Sequence, residues 1–503
     1  MGSVDGTDGE RGVRMRPVWR VADVRAAEQA LMATLPPGTL MRRAAAGLAG
    51  HCARLLAGRG GVYGARVLLL VGSGDNGGDA LYAGARLAGR GAAVAALLLT
   101  PERAHRGGLA AFRAAGGRVV TELPSGADLV LDGIVGIGGT GGLREPAARL
   151  VAGLPGLPGR DGRRATVVAV DVPSGVAVDT GDVPRGDGLP TAVTADVTVT
   201  FGCLKPALVV GPAAARAGRV ELVDIGLGPW LRAAAALRVT EWSDVVDWWP
   251  RFGPEAEKYS RGVVGLATGS RTYPGAAVLS VGGALAGPTG MIRYAGGARA
   301  EVLRRYPSVV ATDRVADAGR VQAWVCGSGL GTDEAAAAEL RSVLAAPVPV
   351  VLDADALTLL VDGSMAEWLR QRKAPTVVTP HDREYARLAG EAPGADRVEA
   401  ALRMASWMNA VVLLKGDRTV VATPDGRAAV NPTGTPALAT GGTGDVLAGL
   451  LGSLLAAGLA ADRAALAAAY LHGLAGREAA RHGPVSASDV VDALRPVVAE
   501  LLR

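Results

Sequence analysis

The 503-residue chain has few lysines, cysteines and aromatic residues, and these shortages exclude several classes of protein and of binding site. Four of its 53 basic residues are lysine, and no basic stripe with interleaved aromatics occurs, so we expect no nucleic-acid partner. The cysteines, Cys52, Cys203 and Cys326, match neither a disulfide nor a metal-binding spacing, which favours a reducing, cytoplasmic compartment. The Ala/Leu-rich stretches are interrupted by Gly, Asp and Arg, so we expect no membrane span.

The first fourteen residues, MGSVDGTDGERGVR, are polar and rich in glycine. They lack the apolar core of a signal peptide. Two interpretations remain open for this segment: residues 1–14 form a disordered tail, or the natural chain starts at Met15.

Short apolar runs alternate along the chain with Ala-, Leu- and Arg-rich segments of helical period. ARVLLLVG (65–72) is an example from the first half, and GVVGLATGS (262–270) is one from the second. Continuous apolar strands that are bounded by glycine and separated by helices predict parallel sheets covered on both faces. The segment 227–250 is rich in Trp and Pro and shows no clear strand, so we interpret it as a linker. The prediction is an α/β protein with two doubly wound domains, residues 15–226 and 251–503.

Polar residues follow several predicted strands of the first half, where open α/β sheets bind their ligands. DNGGD (75–79) contains one of the three asparagines of the chain, and Asp132, Asp171, Ser174 and Lys205 follow other strands. One such residue alone is more often a cap or a turn residue than a functional group. Several at successive strand ends should converge on one crevice, which favours a binding site.

The ordered motifs DNGGD, DGIVGIGGTGG, VDVPSGVAVDTG and TFGCLKP resemble the NAD(P)H-hydrate epimerase domain over about residues 15–226. The family usually has N-N-G-G-D, so Asp75 departs from the pattern at its first position. The resemblance implies a Rossmann-like domain in which Asp171 is the catalytic acid/base. That role fits the substrate, because the hemiaminal carbon of a hydrated nicotinamide can lose and regain its hydroxyl if a carboxylate moves protons.

The same resemblance implies a cation and a dinucleotide site in this domain. Asn76, Asp132 and Ser174 would help to bind K⁺, a hard cation that prefers oxygen ligands. The residues that the resemblance places against the hydrated dinucleotide are Asp75, Asn76, Gly77, Gly78, Asp79, Gly136, Ile137, Gly138, Gly139, Thr140, Gly141, Gly142 and Asp171.

A different set of polar residues follows the apolar runs of the second half, and it includes His381, Lys415 and Asp445. No G-x-x-x-x-G-K-[ST] motif occurs, so a Walker-type nucleotide site is excluded. GGTGD (441–445) leads into a helical pattern, where backbone N–H groups stabilise phosphoryl oxygens and an acid can take the proton of an attacking hydroxyl. Two structural alternatives stay open, an acid in the first turn of a helix and a lone histidine that only makes a hydrogen bond.

The ordered pieces KYSRG, GSRTYPGA, GSGLG, LDADAL, TPHxxE, KGxxT and GGTGD resemble the ADP-dependent NAD(P)H-hydrate dehydratase domain, which is ribokinase-like, over about residues 257–503. Ser328 replaces the usual proline of G-P-G-L-G, and Arg383 replaces the usual glycine of P-H-x-G-E. The resemblance implies that Asp445 is the catalytic base. It places Ala276, Gly329, His381 and Asp445 against the hydrated dinucleotide, and Lys415, Gly416, Asp417, Arg418, Thr419 and Gly444 against the adenine nucleotide.

Together the resemblances imply a fused repair enzyme whose substrates are NADHX, NADPHX and ADP. It would epimerise the R and S hydrates and dehydrate the S form, giving NAD(P)H, AMP and phosphate. Phosphorylation turns the hydroxyl into a good leaving group, and Mg²⁺ would accompany the ADP. The alternatives are a kinase for a vitamin or a sugar with a nucleotide-binding module in front, and a non-catalytic nucleotide sensor. We also expect a homo-oligomer.

Overall fold

The computed structural model describes residues 15–186, 188–361 and 363–503, so the predicted tail 1–14 lies outside the described residues. The chain divides into two compact units, residues 17–236 and residues 237–503 together with Met15 and Arg16. A short strand, β1 (Arg16–Val18), spans the division. We call these the N-terminal unit and the C-terminal unit.

A parallel sheet forms the centre of the N-terminal unit. Its strands are β2 (Arg66–Val71), β3 (Ala93–Leu98), β4 (Arg118–Val120), β5 (Leu129–Gly133), β6 (Thr166–Val170), β7 (Val197–Phe201) and β8 (Arg219–Val223). They lie in the order β4-β3-β2-β5-β6-β7-β8, and each adjacent pair is parallel. The order reverses between β2 and β5, and the carboxyl ends of strands at such a reversal frame the ligand crevice of doubly wound sheets.

The helices of the N-terminal unit cover this sheet with narrow apolar faces. They are α1 (Val21–Met32), α2 (Thr39–Ala57), α3 (Asp75–Ala88), α4 (Arg106–Ala114), α5 (Ala147–Gly153) and α6 (Gly211–Arg216). On α2, Ala45, Leu48, Cys52 and Leu56 are fully buried, which is the spacing of one helical face. Helix α3 begins at Asp75, so DNGGD forms its first turn.

The C-terminal unit repeats this arrangement in a larger, mixed sheet. Its strands are β9 (Leu237–Val239), β10 (Val263–Ala267), β11 (Met291–Ala295), β12 (Val310–Thr312), β13 (Ala323–Cys326), β14 (Val350–Leu352), β15 (Thr376–Val378), β16 (Val411–Leu414), β17 (Val420–Ala422) and β18 (Ala428–Val430). The order β12-β11-β10-β13-β14-β15-β16 is parallel throughout and reverses between β10 and β13. An antiparallel extension continues it through β17 and β18, and β9 then pairs parallel with β18. Strand β9 lies within the segment 227–250, so our expectation that this segment lacks a strand is wrong; three residues are too few to show a periodicity.

The helices of the C-terminal unit include one that is buried along most of its length. They are α7 (Trp242–Trp248), α8 (Pro274–Leu285), α9 (Arg299–Arg305), α10 (Glu334–Ala345), α11 (Asp355–Leu359), α12 (Ser364–Gln371), α13 (Asp382–Ala389), α14 (Arg397–Met408), α15 (Thr443–Ala456), α16 (Ala461–Ala480) and α17 (Ala487–Leu501). The buried helix is α15, which follows GGTGD and packs closely on α8, because Gly449 leaves room for the carbonyl group of Ser280. The predicted α/β class with two doubly wound domains is confirmed. Within the described ranges, no helix has both the length and the apolar composition needed to cross a membrane.

Candidate active sites

The first turn of α3 lies where the N-terminal sheet reverses its order. Gly72, directly after β2, accommodates the carbonyl oxygen of Ile134, with which a Cβ would collide. Within the turn, Asn76 and Asp79 are buried, and their Nδ2 and Oδ1 atoms find no hydrogen-bond partner in the described parts of the chain. Buried polar atoms without a partner are rare, so we expect water, an ion or a ligand to complete this turn.

The glycine-rich loop 136–142 lies against that turn. A Cβ on Gly136 would be 3.0 Å from Asn76 Oδ1, and a Cβ on Gly138 would be 3.3 Å from Arg25 Nη2 of α1. The structure therefore brings together the two glycine-rich segments that the sequence singled out. It adds a guanidinium that the sequence analysis missed, and guanidinium groups and exposed backbone N–H groups both bind phosphates.

Asp132 and Ser174 form a fully buried pair at the ends of β5 and β6. The Ser174 hydroxyl donates to Asp132 Oδ1 at 2.6 Å, and its backbone N–H donates to Oδ2 at 2.8 Å. Burial raises the pKa of Asp132 to about 6, although these bonds to Ser174 oppose the rise. No basic side chain of the described residues pairs with Asp132, so a nearby cation would offset its buried charge, which fits the oxygen set implied for K⁺.

Asp171 follows β6 with a left-handed backbone, φ +67°, which is rare for a residue other than glycine. Its Oδ1 accepts hydrogen bonds from Lys205 Nζ at 2.6 Å, Thr200 Oγ1 at 3.0 Å and the Phe201 N–H at 3.2 Å. The Lys205 side chain is 1% exposed, and it also donates to Thr200 Oγ1 and to the Phe201 carbonyl oxygen. One oxygen of Asp171 is thus fixed, whereas Oδ2 has no hydrogen bond within the described residues and is available for proton transfer.

Two further acids lie beside Asp171. Burial raises the pKa of Asp79 well above its ordinary value, and Asp171 and Asp75 raise it further. Burial, followed by Asp171, also raises the pKa of Glu28 on α1. Carboxyl groups that share a site in this way retain protons that isolated carboxyl groups would lose. Glu28 and Arg25 are three residues apart on one face of α1, but no strand-end motif identifies them in the sequence.

A lysine–aspartate pair also lies at the strand ends of the C-terminal sheet, where Asp353 is buried and the Lys415 side chain is partly exposed. Lys415 Nζ is 2.7 Å from Asp353 Oδ1 and 3.5 Å from Glu384 Oε2. Asp353 also accepts hydrogen bonds from Thr379 Oγ1 at 2.7 Å and Ser328 Oγ at 3.0 Å. Burial opposes the ionisation of Asp353, but Lys415 and the two hydroxyls outweigh it and hold its pKa below the ordinary value. The motifs LDADAL and TPHxxE contain Asp353 and Glu384, yet the sequence analysis gave neither residue a role.

Helix α15 begins beside this pair. A Cβ on Gly444 would be 3.6 Å from Lys415 Nζ and 3.7 Å from Asp353 Oδ2, so the first turn of the helix faces both groups. Asp445 lies in that turn. Burial and then Asp353 raise its pKa to about 7, while the Ser328 hydroxyl and Lys415 lower it. An acid with a pKa near neutrality beside exposed backbone N–H groups has the properties of a general base for phosphoryl transfer.

Ala276 and Gly329 meet at the reversal between β10 and β13. A Cβ on Gly329 would be 2.7 Å from the Cβ of Ala276. Gly329 also has a φ of +64°, so this turn requires glycine for both its space and its conformation. The structure thus unites two of the residues that the resemblance places against the hydrated dinucleotide.

His381 caps helix α13. Its Nδ1 accepts hydrogen bonds from the backbone N–H groups of Arg383 and Glu384 at 3.1 and 3.2 Å, and Glu384 Oε2 accepts one from the N–H of His381 at 2.8 Å. This reciprocal arrangement is a capping box, so His381 makes structural hydrogen bonds, as the structural alternative for the lone histidine predicted. Because the side chain is still 48% exposed, a contact with substrate stays a prediction.

Residues 415–419 form the turn between β16 and β17. Thr419 Oγ1 donates to the Gly416 carbonyl oxygen at 3.0 Å, and Arg397 Nη2 donates to the Lys415 carbonyl oxygen at 2.8 Å. The guanidinium of Arg418 bonds to the carbonyl oxygen of Pro432. Of the implied nucleotide contacts, the structure brings Lys415 together with Gly444.

Each unit therefore places glycine-rich turns and buried carboxylates at the reversal of a doubly wound sheet, as in α/β enzymes that act on phosphate-bearing ligands. Residues 37–207 match the family model described as YjeF-related protein N-terminus, and residues 264–495 match that of NAD(P)H-hydrate dehydratase. The bifunctional NAD(P)H-hydrate repair enzyme Nnr of Mycobacterium tuberculosis is 51% identical over 418 residues, which are 83% of this chain and 84% of that protein. Its counterpart in Mycobacterium leprae is 49% identical over 493 residues, 97% of this chain and 100% of that protein. This chain belongs to the family of bifunctional NAD(P)H-hydrate repair enzymes.

A dehydratase is among the solved structures similar to this chain. The ADP/ATP-dependent NAD(P)H-hydrate dehydratase from Bacillus subtilis, co-crystallised with ATP/Mg²⁺, is 29% identical, with a TM-score of 0.47. The match covers 52% of this chain and 99% of that one. The family predicted from the sequence is confirmed by the sequence relatives, which do not favour the alternative of a vitamin or sugar kinase.

Proposed function

We propose that the N-terminal unit epimerises (R)- and (S)-NAD(P)H hydrate and that the C-terminal unit dehydrates the S form with ADP as phosphoryl donor. The observation that carries this proposal is the placement of Asp171 and Asp445. Each is a carboxyl group beside glycine-rich turns at the ligand-binding edge of its own sheet, and each can move a proton. The identity with the mycobacterial repair enzymes supports both activities.

In the epimerisation, the reacting carbon carries a hydroxyl and is bonded to the ring nitrogen. Protonation of the hydroxyl lets the nitrogen lone pair expel it as water, and water that returns to the opposite face gives the other epimer. Asp171 Oδ2 moves the proton, while Lys205 fixes Oδ1. The proton leaves within the departing water and is released again when water adds, and Asp79, whose pKa is raised by burial, can hold it before the first step and after the second.

In the dehydration, Asp445 takes the proton of the 6-hydroxyl as its oxygen attacks the terminal phosphorus of ADP, and AMP leaves. The N–H groups at the start of α15 and the ammonium of Lys415 stabilise the phosphoryl oxygens. The C–O bond then breaks with release of phosphate, and loss of a proton from the adjacent ring carbon gives NAD(P)H.

Two cations complete the proposal. Asn76, Asp132 and Ser174 would hold K⁺, which would compensate the buried charge of Asp132. Mg²⁺ would accompany the nucleotide phosphates, whose charge it would neutralise. Cytoplasmic location and assembly into a homo-oligomer stay predictions.

The test follows the NADH absorbance band after ADP is added to a racemic mixture of NADH hydrates. The wild-type chain should convert both epimers. Asp171→Asn should stop near the S fraction, apart from slow spontaneous epimerisation, and Asp445→Asn should produce no NADH. Asp492→Asn, a change of an exposed acid on α17, should behave as wild type. Full conversion by Asp445→Asn would contradict the proposal, and net accumulation of a phosphorylated substrate would favour a kinase.

A further inference from the structure

Ser328 places a buried hydroxyl against the carboxyl group of Asp353. Its side chain is fully buried, and its Oγ donates to Asp353 Oδ2 at 3.0 Å. The backbone of Ser328 is fixed as well, because the N–H of Gly269 donates to its carbonyl oxygen at 2.6 Å. The hydroxyl therefore has a defined position at the end of β13.

The two oxygens of Asp353 face different surroundings. Oδ1 accepts from Lys415 and Thr379, both at 2.7 Å. Oδ2 accepts from Ser328 and faces the first turn of α15, where a Cβ on Gly444 would be 3.7 Å away. Oδ2 is thus the oxygen of Asp353 that is directed toward the turn of Asp445, and the Ser328 hydroxyl is its hydrogen-bond donor within the described residues.

We propose that Ser328 is a positioning residue of the dehydration reaction, whose hydroxyl binds the Asp353 oxygen that faces the turn of Asp445 and keeps Asp445 able to accept the substrate proton. The inference rests on the proposed dehydratase function. A serine hydroxyl has one proton to donate and two lone pairs. In the structure that proton is donated to Asp353 Oδ2, so the hydroxyl compensates part of the charge that faces the turn of Asp445.

The charged groups around Asp445 define what removal of the hydroxyl would do. Asp353 after β14 and Asp355 of α11 raise the pKa of Asp445, and Lys415 after β16 lowers it together with Ser328. Helix α8 packs on α15 and contains no charged residue. Without the Ser328 hydroxyl, Asp353 Oδ2 would lose its hydrogen-bond donor, and its charge would repel an ionised Asp445 more strongly.

His472 of α16 is the titratable group on another side of the same turn. Burial lowers the pKa of His472 to about 4, while the backbone of Thr443 opposes the shift and Lys415 reinforces it. The imidazole is neutral throughout the range in which Asp445 titrates, so it does not contribute to the pH dependence near neutrality.

The experiment compares the pH profile of kcat for dehydration of (S)-NADH hydrate with ADP in the full chain. Ser328→Ala should move the midpoint of the rising limb upward by about half a pH unit or more, since Asp353 Oδ2 loses its donor and its charge opposes the ionisation of Asp445 more strongly. The KM for ADP should change little. Ser328→Thr keeps the hydroxyl and should restore the wild-type midpoint.

Thr379→Val is the matched control. It removes a buried hydroxyl from the same carboxylate, but from Oδ1, the oxygen bound to Lys415. The midpoint should therefore stay at the wild-type value even if kcat or the unfolding temperature falls. A purely structural role of Ser328 would make the two variants alike.

The inference is overturned if Ser328→Ala keeps the wild-type midpoint or if Thr379→Val moves it equally. Should Ser328→Ala not fold, Ser328→Cys makes the same comparison, because it replaces the hydroxyl with the weak donor of a thiol. Absence of dehydration by the wild-type chain would instead refute the proposed function, so the two failures are distinguishable.

Discussion

In each unit one lysine pairs with a buried carboxylate, and the two carboxylates have different proposed roles. In the N-terminal unit Lys205 binds Asp171, the proposed acid/base itself, at 2.6 Å. In the C-terminal unit Lys415 binds Asp353 at 2.7 Å, while the proposed base, Asp445, is not in an ion pair within the described residues. In the N-terminal unit the lysine–aspartate pair thus includes the proposed acid/base, whereas in the C-terminal unit the pair lies beside the proposed base.

The difference shows how neighbouring groups assign roles to similar carboxyl groups. Lys205 fixes one oxygen of Asp171 and leaves the other available to move a proton. Lys415 compensates Asp353, and the negative charge of Asp353 then helps burial to raise the pKa of Asp445 to about 7. A base of this pKa can take a proton near neutral pH, while Lys415 remains beside the proposed phosphoryl site.

The largest effect should come from removal of the lysine that holds the acid/base directly. Lys205→Met leaves the Asp171 carboxylate buried without its cation, which costs about 3–5 kcal/mol of stability when one partner of a buried pair is lost. Epimerisation should fall by about 100-fold or more, since the carboxylate is no longer positioned. Denaturant unfolding and the rate of NADH formation from the R hydrate measure these effects.

Lys373→Met is the control for that change, because the Lys373 side chain is exposed and makes no ion pair in the described part of the chain. It should alter the free energy of unfolding by less than about 0.5 kcal/mol. If Lys205→Met were as stable and as active as this control, the contrast between the two lysines would be lost.

An intermediate effect should appear in the pH dependence of the C-terminal unit. Asp445 must be ionised to accept a proton, so dehydration should slow as the pH falls through about 7. The contribution of Asp445 to the free energy of unfolding changes with pH in the opposite direction to the rate. The folded chain holds a proton that the unfolded chain releases, and this stabilisation is complete at low pH and lost as the pH rises through about 7.

Asp445→Asn supplies the comparison for stability, because it cannot titrate. Between about pH 4 and pH 7, the unfolding free energy of the wild type should decline relative to that of the variant. Parallel curves for the two proteins would contradict the raised pKa, as would a dehydration rate that is constant across this range.

The sequence was sufficient to predict the fold class because buried parallel strands have continuous apolar sequences. It did not predict β9, which is three residues long and gains its stability from pairing with β18. Nor did it show that DNGGD begins a helix, since two consecutive glycines are typical of a loop.

The candidate sites were predictable where function follows a strand end, as for Asp132, Asp171 and Lys415. Glu28 lies on helix α1, and its interaction with Asp171 depends on how that helix packs, which no local sequence motif predicts. The role of Ser328 was equally hidden, because a departure in a motif does not reveal which oxygen the new hydroxyl will meet.

The smallest effect should separate the two roles of His381. His381→Ala removes the cap of α13 and should lower the unfolding free energy by about 1 kcal/mol. His381→Asn keeps a short acceptor and should retain that stability while raising the KM for the hydrate, since the reach of the imidazole is lost. Asp396→Ala, which removes the cap of α14, should lower stability similarly with no change in KM. An unchanged KM in His381→Asn would show that His381 acts only as a helix cap. The C-terminal site would then bind its substrate without a contact from this histidine.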